Sequence, residues 1–269
     1  MKYSVLKKLG CGSAGDAYLL EDGKAIVVGK REDSFTTYKT MFNKMQMLED
    51  CITQVKYPKV YDLISPCEEF PFGAIVEDNI GGTELREVVS KLNQSQKKEI
   101  GRVLAAFITQ VHNITTKGKK AEEININLNK YDRSLLVLKD YLPDDILKKL
   151  ADLKLCYKSL LESKDFCITH GDLNAGNIMI ENGKVSGIID FGNMEYYIPE
   201  IEFVHMYFFD RTIYESMIKN YSKPINEKEI VFLELVTNIR HFKNIKNFED
   251  RRNNCLNNIE MLLNKYLNM

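Results

Sequence analysis

One carboxylate, Asp172, stands five residues before an amide, Asn177, and a second carboxylate, Asp190, follows thirteen residues later. All three lie in the stretch 168–193, which reads ITHGDLNAGNIMIENGKVSGIIDFGN. Phosphoryl transfer needs a carboxylate beside the attacking hydroxyl and two oxygen ligands for magnesium on a triphosphate, all within one small volume. An aspartate, an asparagine and a second aspartate can supply those groups once the chain brings them together.

The local elements predict that convergence. Asn182-Gly183 sits between two β-prone runs, Ile178-Met-Ile180 and 185–189. Asn-Gly between such runs signals a tight hairpin, because both turn residues must tolerate positive φ. The hairpin returns Asp190, at the end of its second strand, to the side of Asn177, at the start of its first. Asp172 falls on the loop before it, after the short apolar run 166–169. A single Asp after a strand is ordinarily a turn residue or a helix cap. The ordered combination of His-Gly-Asp, four residues, Asn, a hairpin and Ile-Asp-Phe-Gly is far rarer, and it favours chemistry.

THGDLNAGNIM followed by GIIDFG resembles the aminoglycoside phosphotransferase and choline-kinase-like family of the protein-kinase-like fold. That family carries H-G-D-x-x-x-x-N where protein kinases carry H-R-D-x-x-x-x-N. The resemblance implies an α+β, bilobal fold with a small β-rich N-lobe containing one helix and a larger, mainly helical C-lobe. It implies that Asp172 is the catalytic base or hydroxyl orienter and that Asn177 and Asp190 hold Mg2+. His170 would brace the loop. The donor would be ATP or GTP, and the partner a small-molecule alcohol. An aminoglycoside-type antibiotic is the first expectation; choline, homoserine or another metabolite alcohol is the second. A protein kinase is disfavoured, because Pro199-Glu200 follows Asp190-Phe-Gly too soon to leave an activation segment. A non-catalytic nucleotide-binding module is the rival from another class.

Stepping outward, residues 1–80 are expected to form the nucleotide-binding lobe and 81–269 the catalytic and acceptor-binding lobe. Five strand-like runs (3–9, 16–21, 24–28, 60–64 and 72–76) surround a helix running from a Ser34 cap to about Cys51. Its apolar stripe is Tyr38, Met41, Phe42, Met45 and Leu48. After Gly81-Gly82 the pattern predicts helices at 83–92, 95–113, 130–139, 143–163, 199–221, 227–247 and 249–268. The catalytic segment is the one β element expected among them.

Gly10, Gly12, Ser13 and Gly15 lie in a G-x-G-x-x-G run between two predicted strands. Glycines let the backbone fold over phosphates, and a strand rather than a helix after the loop favours the kinase type over a dinucleotide fold. Asp16, just past the loop, is expected to point away. The kinase pattern also wants a lysine on the third strand and a glutamate on the next helix. Here Val27 and Met41 occupy those places. Lys30 is three residues on, which in a regular strand is the opposite face. A bulge at Gly29 would restore it as a phosphate clamp. Otherwise it is a solvated lysine. Glu49 is the one glutamate inside the predicted helix.

Backbone groups near Asp78 and Ile80 are expected to meet the purine edge, with Ile75 and Val76 as walls and Ile189 as floor. His112 reads as a satisfied core histidine, and Glu202 as a packing and capping residue. Glu195, Glu200, Asp210 and Glu215 could line an acceptor wall, yet Arg211, Lys219, Arg240 and neighbouring cations offset them. Tyr196, Tyr197, Tyr207, Phe208 and Phe209 suit a helix core better than a pocket. The formal net charge of −1 offers no basic excess for nucleic acid, and no apolar run reaches membrane-spanning length. The 6 cysteines are scattered, as reduced thiols would be. A cytoplasmic monomer is expected.

Overall fold

Strand and turn signals in the first third of the chain close into one antiparallel sheet. A computed structural model of the protein describes residues 3–12, 15–48, 55–114 and 120–269. The sheet contains β1 (Val5–Cys11), β2 (Gly15–Leu20), β3 (Ala25–Gly29), β4 (Val60–Ile64) and β5 (Ala74–Glu77), in the order β1-β2-β3-β5-β4. Helix α1 (Ser34–Met45) follows β3, as the pattern predicted, and tightens into a 3-10 turn over Gln46–Leu48. The cap differs from expectation. Asp33 is the N-cap, and Ser34 is the first helical residue. The Ser34 hydroxyl instead accepts from the amides of Lys30 and Arg31, fastening the β3–α1 corner. Glu49 lies outside the described residues.

Alternation gives the sheet two apolar faces. Leu20, Ile26, Ala74 and Val76 form a small cluster on one face. Val27 and Ile75 pack on the other, against Tyr38, Met41 and Met45 of α1. That second cluster continues without interruption into the helical region. The core of the molecule therefore runs from the underside of the sheet through α1 into the helices.

Beyond Gly82 the chain forms β6 (Thr83–Glu84), then α2 (Leu85–Val88) with a 3-10 turn to Lys91, where one helix was expected. The next helices are α3 (Gln94–His112), α4 (Lys120–Leu138) and α5 (Asp144–Ser163). Helix α3 opens on a capping box between Asn93 and Gln96. Helix α4 begins ten residues earlier than its apolar pattern suggested, and its first turn carries Glu122 and Glu123. The catalytic segment holds β7 (Cys167–Thr169), β8 (Ile178–Glu181) and β9 (Lys184–Ile188). A further strand that the sequence reading missed, β10 (Glu195–Tyr197), pairs antiparallel with β7. The expected helix 199–221 is two, α6 (Ile201–Phe209) and α7 (Arg211–Asn220). Asp210 breaks the run in extended conformation and caps α7 by accepting from the Ile213 amide at 3.0 Å. Helices α8 (Glu227–Ile245) and α9 (Glu249–Leu267) complete the chain. Among the described residues no helix is long and apolar enough to cross a membrane, and the described cysteines are free thiols.

Candidate active site

The Asn182-Gly183 turn folds as expected, with φ of 52° and 73°. Strands β8 and β9 pair in the register Ile178↔Ile188. The Ile189 amide donates to the Asn177 carbonyl at 2.9 Å, which brings Asp190 beside Asn177. Asn177 in turn donates its side-chain amide to the Asp172 carbonyl at 2.8 Å. The three residues singled out by spacing thus meet at one end of the hairpin. Asp190 adopts a left-handed backbone, φ 63°, and its Oδ1 accepts from the Gly192 amide at 3.4 Å. A non-glycine residue in that region carries strain that the surrounding structure must hold, a state common at functional sites.

The loop carrying Asp172 is braced from beneath. The Asp172 amide donates to His170 Nδ1 at 3.3 Å, so Nδ1 is the acceptor nitrogen of a neutral ring. Nε2 then donates to the Ile189 carbonyl at 3.1 Å. Burial keeps this imidazole uncharged by lowering its pKa. Glu202 of α6 is fully buried, and its Oε1 accepts from the amides of His170 and Gly171. Burial pushes its carboxyl up to about 7 against those two bonds. Glu202 is therefore a capping residue, as expected, and what it caps is the catalytic loop. Gly171 has φ 79°, and a Cβ there would lie 2.3 Å from the Asn193 carbonyl. This close approach sets Asn193 next to Asp172.

Sequence reasoning missed the partners of Asp172 itself. Asn174 Nδ2 donates to Oδ1 at 2.8 Å, Asn193 Nδ2 to Oδ2 at 3.5 Å, and His205 Nε2 of α6 lies 3.3 Å from Oδ1. Burial opposes the charge on Asp172, but the bonds from His205 and Asn174 hold its pKa below the usual value. Asn174 lies inside the family-like motif and could have been suspected. His205 lay thirty-three residues away with no local signal.

Of the glycines expected over phosphates, Gly10 lies in β1 opposite Ala17 and Gly15 opens β2, and the Gly12 amide donates to the Gly15 carbonyl at 2.8 Å across the β1–β2 connection. Ser13 lies outside the described residues. The clamp reading of Lys30 does not hold. The β2–β3 register runs unbroken from Leu19↔Ala25 to Gly15↔Gly29, so no bulge returns Lys30 to the face of Val27. Lys30 Nζ instead pairs with Asp16 Oδ1 at 2.5 Å, and Lys8 holds the same carboxylate at 2.9 Å. The two cations pull the Asp16 pKa down to about 2. Val27 and Met41 lie in one apolar cluster, as the missing clamp implied. A different lysine ties α1 to the catalytic segment, since Lys44 Nζ donates to the Met194 carbonyl.

At the hinge, the Asp78 side chain accepts from the Lys59 amide and the Tyr61 hydroxyl, at 3.1 and 2.8 Å, and so faces away from the cleft. Among the described residues the Ile80 amide donates to no backbone group. Ile75 is buried on the face that meets α1, as a wall would be, and Ile189 is half-buried beside Asp190, but strand alternation turns Val76 into the cluster on the opposite face, so it is no wall of that site. Glu77 was not anticipated. In the β3–β5 register it pairs with Ala25 and shares the face of Ile75. Burial, then the charge of Asp190, pushes its carboxyl up to about 8.

The Asn177 and Asp190 pair suits magnesium. Both offer hard oxygen donors, and Asn177 spends its nitrogen on Asp172, leaving its oxygen for a cation. Among the described residues no group of three Asp, Glu, His or Cys side chains could hold a metal. Phosphate oxygens would have to complete the shell, as is usual for magnesium on a nucleotide.

A β-sheet lobe, a hinge, and a braced His-Gly-Asp loop beside Asp-Phe-Gly define the class as a phosphotransferase of the kinase-like fold. A family model described as "Phosphotransferase enzyme family" matches residues 5–223. The chain belongs to that family. No curated protein sequence matches it. Among solved structures, the ADP-bound aminoglycoside phosphotransferase APH(2'')-Ib is 19% identical, with 98% of this chain and 93% of that one covered, at a TM-score of 0.74. The gentamicin complex of APH(2")-IIa is 19% identical over 96% and 92%, with a TM-score of 0.77. The GDP complex of aminoglycoside 2'-phosphotransferase-IIIa is 14% identical over 97% and 94%, also at 0.77. At these identities the likeness establishes the fold alone.

Proposed function

We propose that the protein transfers the γ-phosphoryl group of ATP or GTP to a hydroxyl of an aminoglycoside-type antibiotic. The observation that carries this reading is the meeting of Asp172, Asn177 and Asp190 through the 2.8 and 2.9 Å bonds described above. Residues 1–80 would hold the nucleotide, with the glycine loop over the phosphates and Asp78 and Ile80 at the purine. Residues 81–269 would supply catalysis and the acceptor site. Asn177 and Asp190 would hold Mg2+, which neutralises phosphate charge when bound. Asp172 orients the acceptor hydroxyl for in-line attack and receives its proton. The aminoglycoside reading is supported by the acceptors named for the structural neighbours, gentamicin among them.

A metabolite alcohol is the second reading, and one observation favours it. The surroundings of Glu195 are of mixed charge, because Lys44, Lys130 and Arg240 all feel its field. A polycation would meet cations there. A transfer screen with ATP and GTP over gentamicin, kanamycin, streptomycin, choline and homoserine separates the two. Asp172→Ala should abolish transfer, a loss of ~10²-fold or more, while sparing nucleotide affinity. Asp190→Ala should weaken Mg-nucleotide binding. Equal loss of nucleotide affinity in both variants would overturn the assignment. Nucleotide binding without transfer to any alcohol would leave a binding module.

A further inference from the structure

Glu77 closes β5 one residue before the hinge. On the sheet it stands between Ala25 of β3 and Val60 of β4, both apolar. Neither side chain can hydrogen-bond a carboxyl. Glu77 is half-buried, and among the described residues its side chain makes no hydrogen bond and no ion pair. The charges that reach it are those of Asp190 from the catalytic segment and Asp78 from the hinge, both of its own sign. The Tyr38 hydroxyl of α1 feels its field in turn.

Strand alternation fixes where Glu77 points. It shares the face of Ile75, whose partner is Val27, and that face meets α1. The glycine loop enters β2 over the same face, since a Cβ at Gly15 would collide with the Tyr38 hydroxyl. Tyr38 also feels the charge of Asp190. Gly15, Tyr38, Glu77 and Asp190 therefore border one space, the one assigned above to the nucleotide. A polar group withdrawn from water without a partner destabilises a fold. Placed at the wall of a cleft, it gains a partner when the cleft fills.

We propose that Glu77 selects the base of the phosphoryl donor, favouring adenine over guanine, an inference that rests on the donor-site reading above. A purine seated on the hinge backbone with N1 at Ile80 carries its 6-substituent toward Asp78 and the end of β5, where Glu77 stands. In adenine that edge offers an amino N–H and then N7, a donor beside an acceptor. In guanine it offers O6 and N7, two acceptors. A protonated carboxyl matches the first, because its C=O accepts from the amino group and its O–H donates to N7. Against guanine the O–H is satisfied, but the C=O faces an acceptor. An ionised carboxylate accepts from the adenine amino group and meets only lone pairs on guanine. Adenine is preferred in either state. Burial, then the charge of Asp190, pushes the carboxyl up to about 8, which favours the protonated form and its two bonds at neutral pH.

The test titrates the full chain with Mg-ATP, Mg-GTP and Mg-ITP at neutral pH without an acceptor. Hypoxanthine has the O6 of guanine and lacks its 2-amino group, so ITP separates this edge from the opposite one. The wild type should bind Mg-ATP about tenfold tighter than either of the others. Glu77→Gln presents an amide, again one acceptor beside one donor, and should keep that ratio within about twofold. Glu77→Leu removes both groups and leaves an apolar body suited to Ala25 and Val60. Its three affinities should fall within about threefold of one another. A purely structural role would change all three together and leave the ratio. Equal binding of Mg-ATP and Mg-GTP by the wild type, Mg-ITP bound as tightly as Mg-ATP, or an unchanged ratio in Glu77→Leu would overturn the proposal. Selective Mg-ATP binding that is lost in Glu77→Leu, without transfer to any alcohol, would uphold it while sinking the kinase function.

Discussion

At the scale of single residues, what a side chain does follows from what its charge can reach. Lys30 has a charge that suits phosphate, yet strand alternation aims it at Asp16. Lys30→Ala should leave nucleotide affinity and transfer rate within about twofold, because exposed ion pairs contribute little. An isothermal titration with Mg-ATP checks it. Glu77 is the opposite case, a carboxylate kept protonated by burial and by Asp190. Its folded pKa of about 8 stands above the unfolded value of 4.5. The stability it contributes is complete below the unfolded value and is lost as pH rises through the folded one. Glu77→Gln should therefore match the wild-type Tm near pH 4 and exceed it at pH 9. Parallel melting curves across that range would contradict the assignment. The spacing of Asp172, Asn177 and Asp190 was legible in sequence because each is fixed by nearby chain. Glu77 and His205 were not, since the charges that matter to them arrive from other elements.

At the scale of elements, turn chemistry was the most readable signal. Asn182-Gly183 forms the turn it encodes, and the hairpin it closes positions Asn177 beside Asp190. Gly183→Ala puts a side chain at φ 73°, where its Cβ would also meet Gln96 Nε2 at 2.1 Å. Gln96 is half of the capping box of α3, so the substitution strains a turn and loosens a cap together. A loss of roughly 1–2 kcal/mol is expected, read by urea unfolding. Helix boundaries were less readable. Asp210 interrupts a continuous apolar pattern by accepting from the Ile213 amide and the Lys97 ammonium. A side chain competing for its own backbone cannot be foreseen from periodicity. Strand β10 was missed for a related reason. Three residues of strand are too few to show alternation, and only pairing with β7 makes them one.

At the scale of the whole molecule, the cleft is organised around Phe191. This residue of Asp-Phe-Gly is buried, with its ring 4.6 Å from His170, 6.0 Å from Tyr57 and 6.3 Å from Phe107. It joins the linker before β4, the catalytic loop and α3 in one contact. Phe191→Ala should cost about 3–5 kcal/mol in denaturant unfolding and lower kcat as well, since it also frees the Asp190 backbone. A stability loss with full activity would show that the ring does not position the site. The sequence by itself determined the strand order of events: glycine loop, one helix, hinge, catalytic loop, hairpin, helices. It also determined which three polar residues meet, because short loops and a tight turn leave them no alternative. Only the tertiary structure decided that Lys30 serves Asp16, that Glu202 braces the loop, and that His205 and Glu77 face the catalytic carboxylates. Those contacts join residues distant in sequence, and no periodicity or propensity records how separate elements pack. Burial and charge are properties of the assembled molecule.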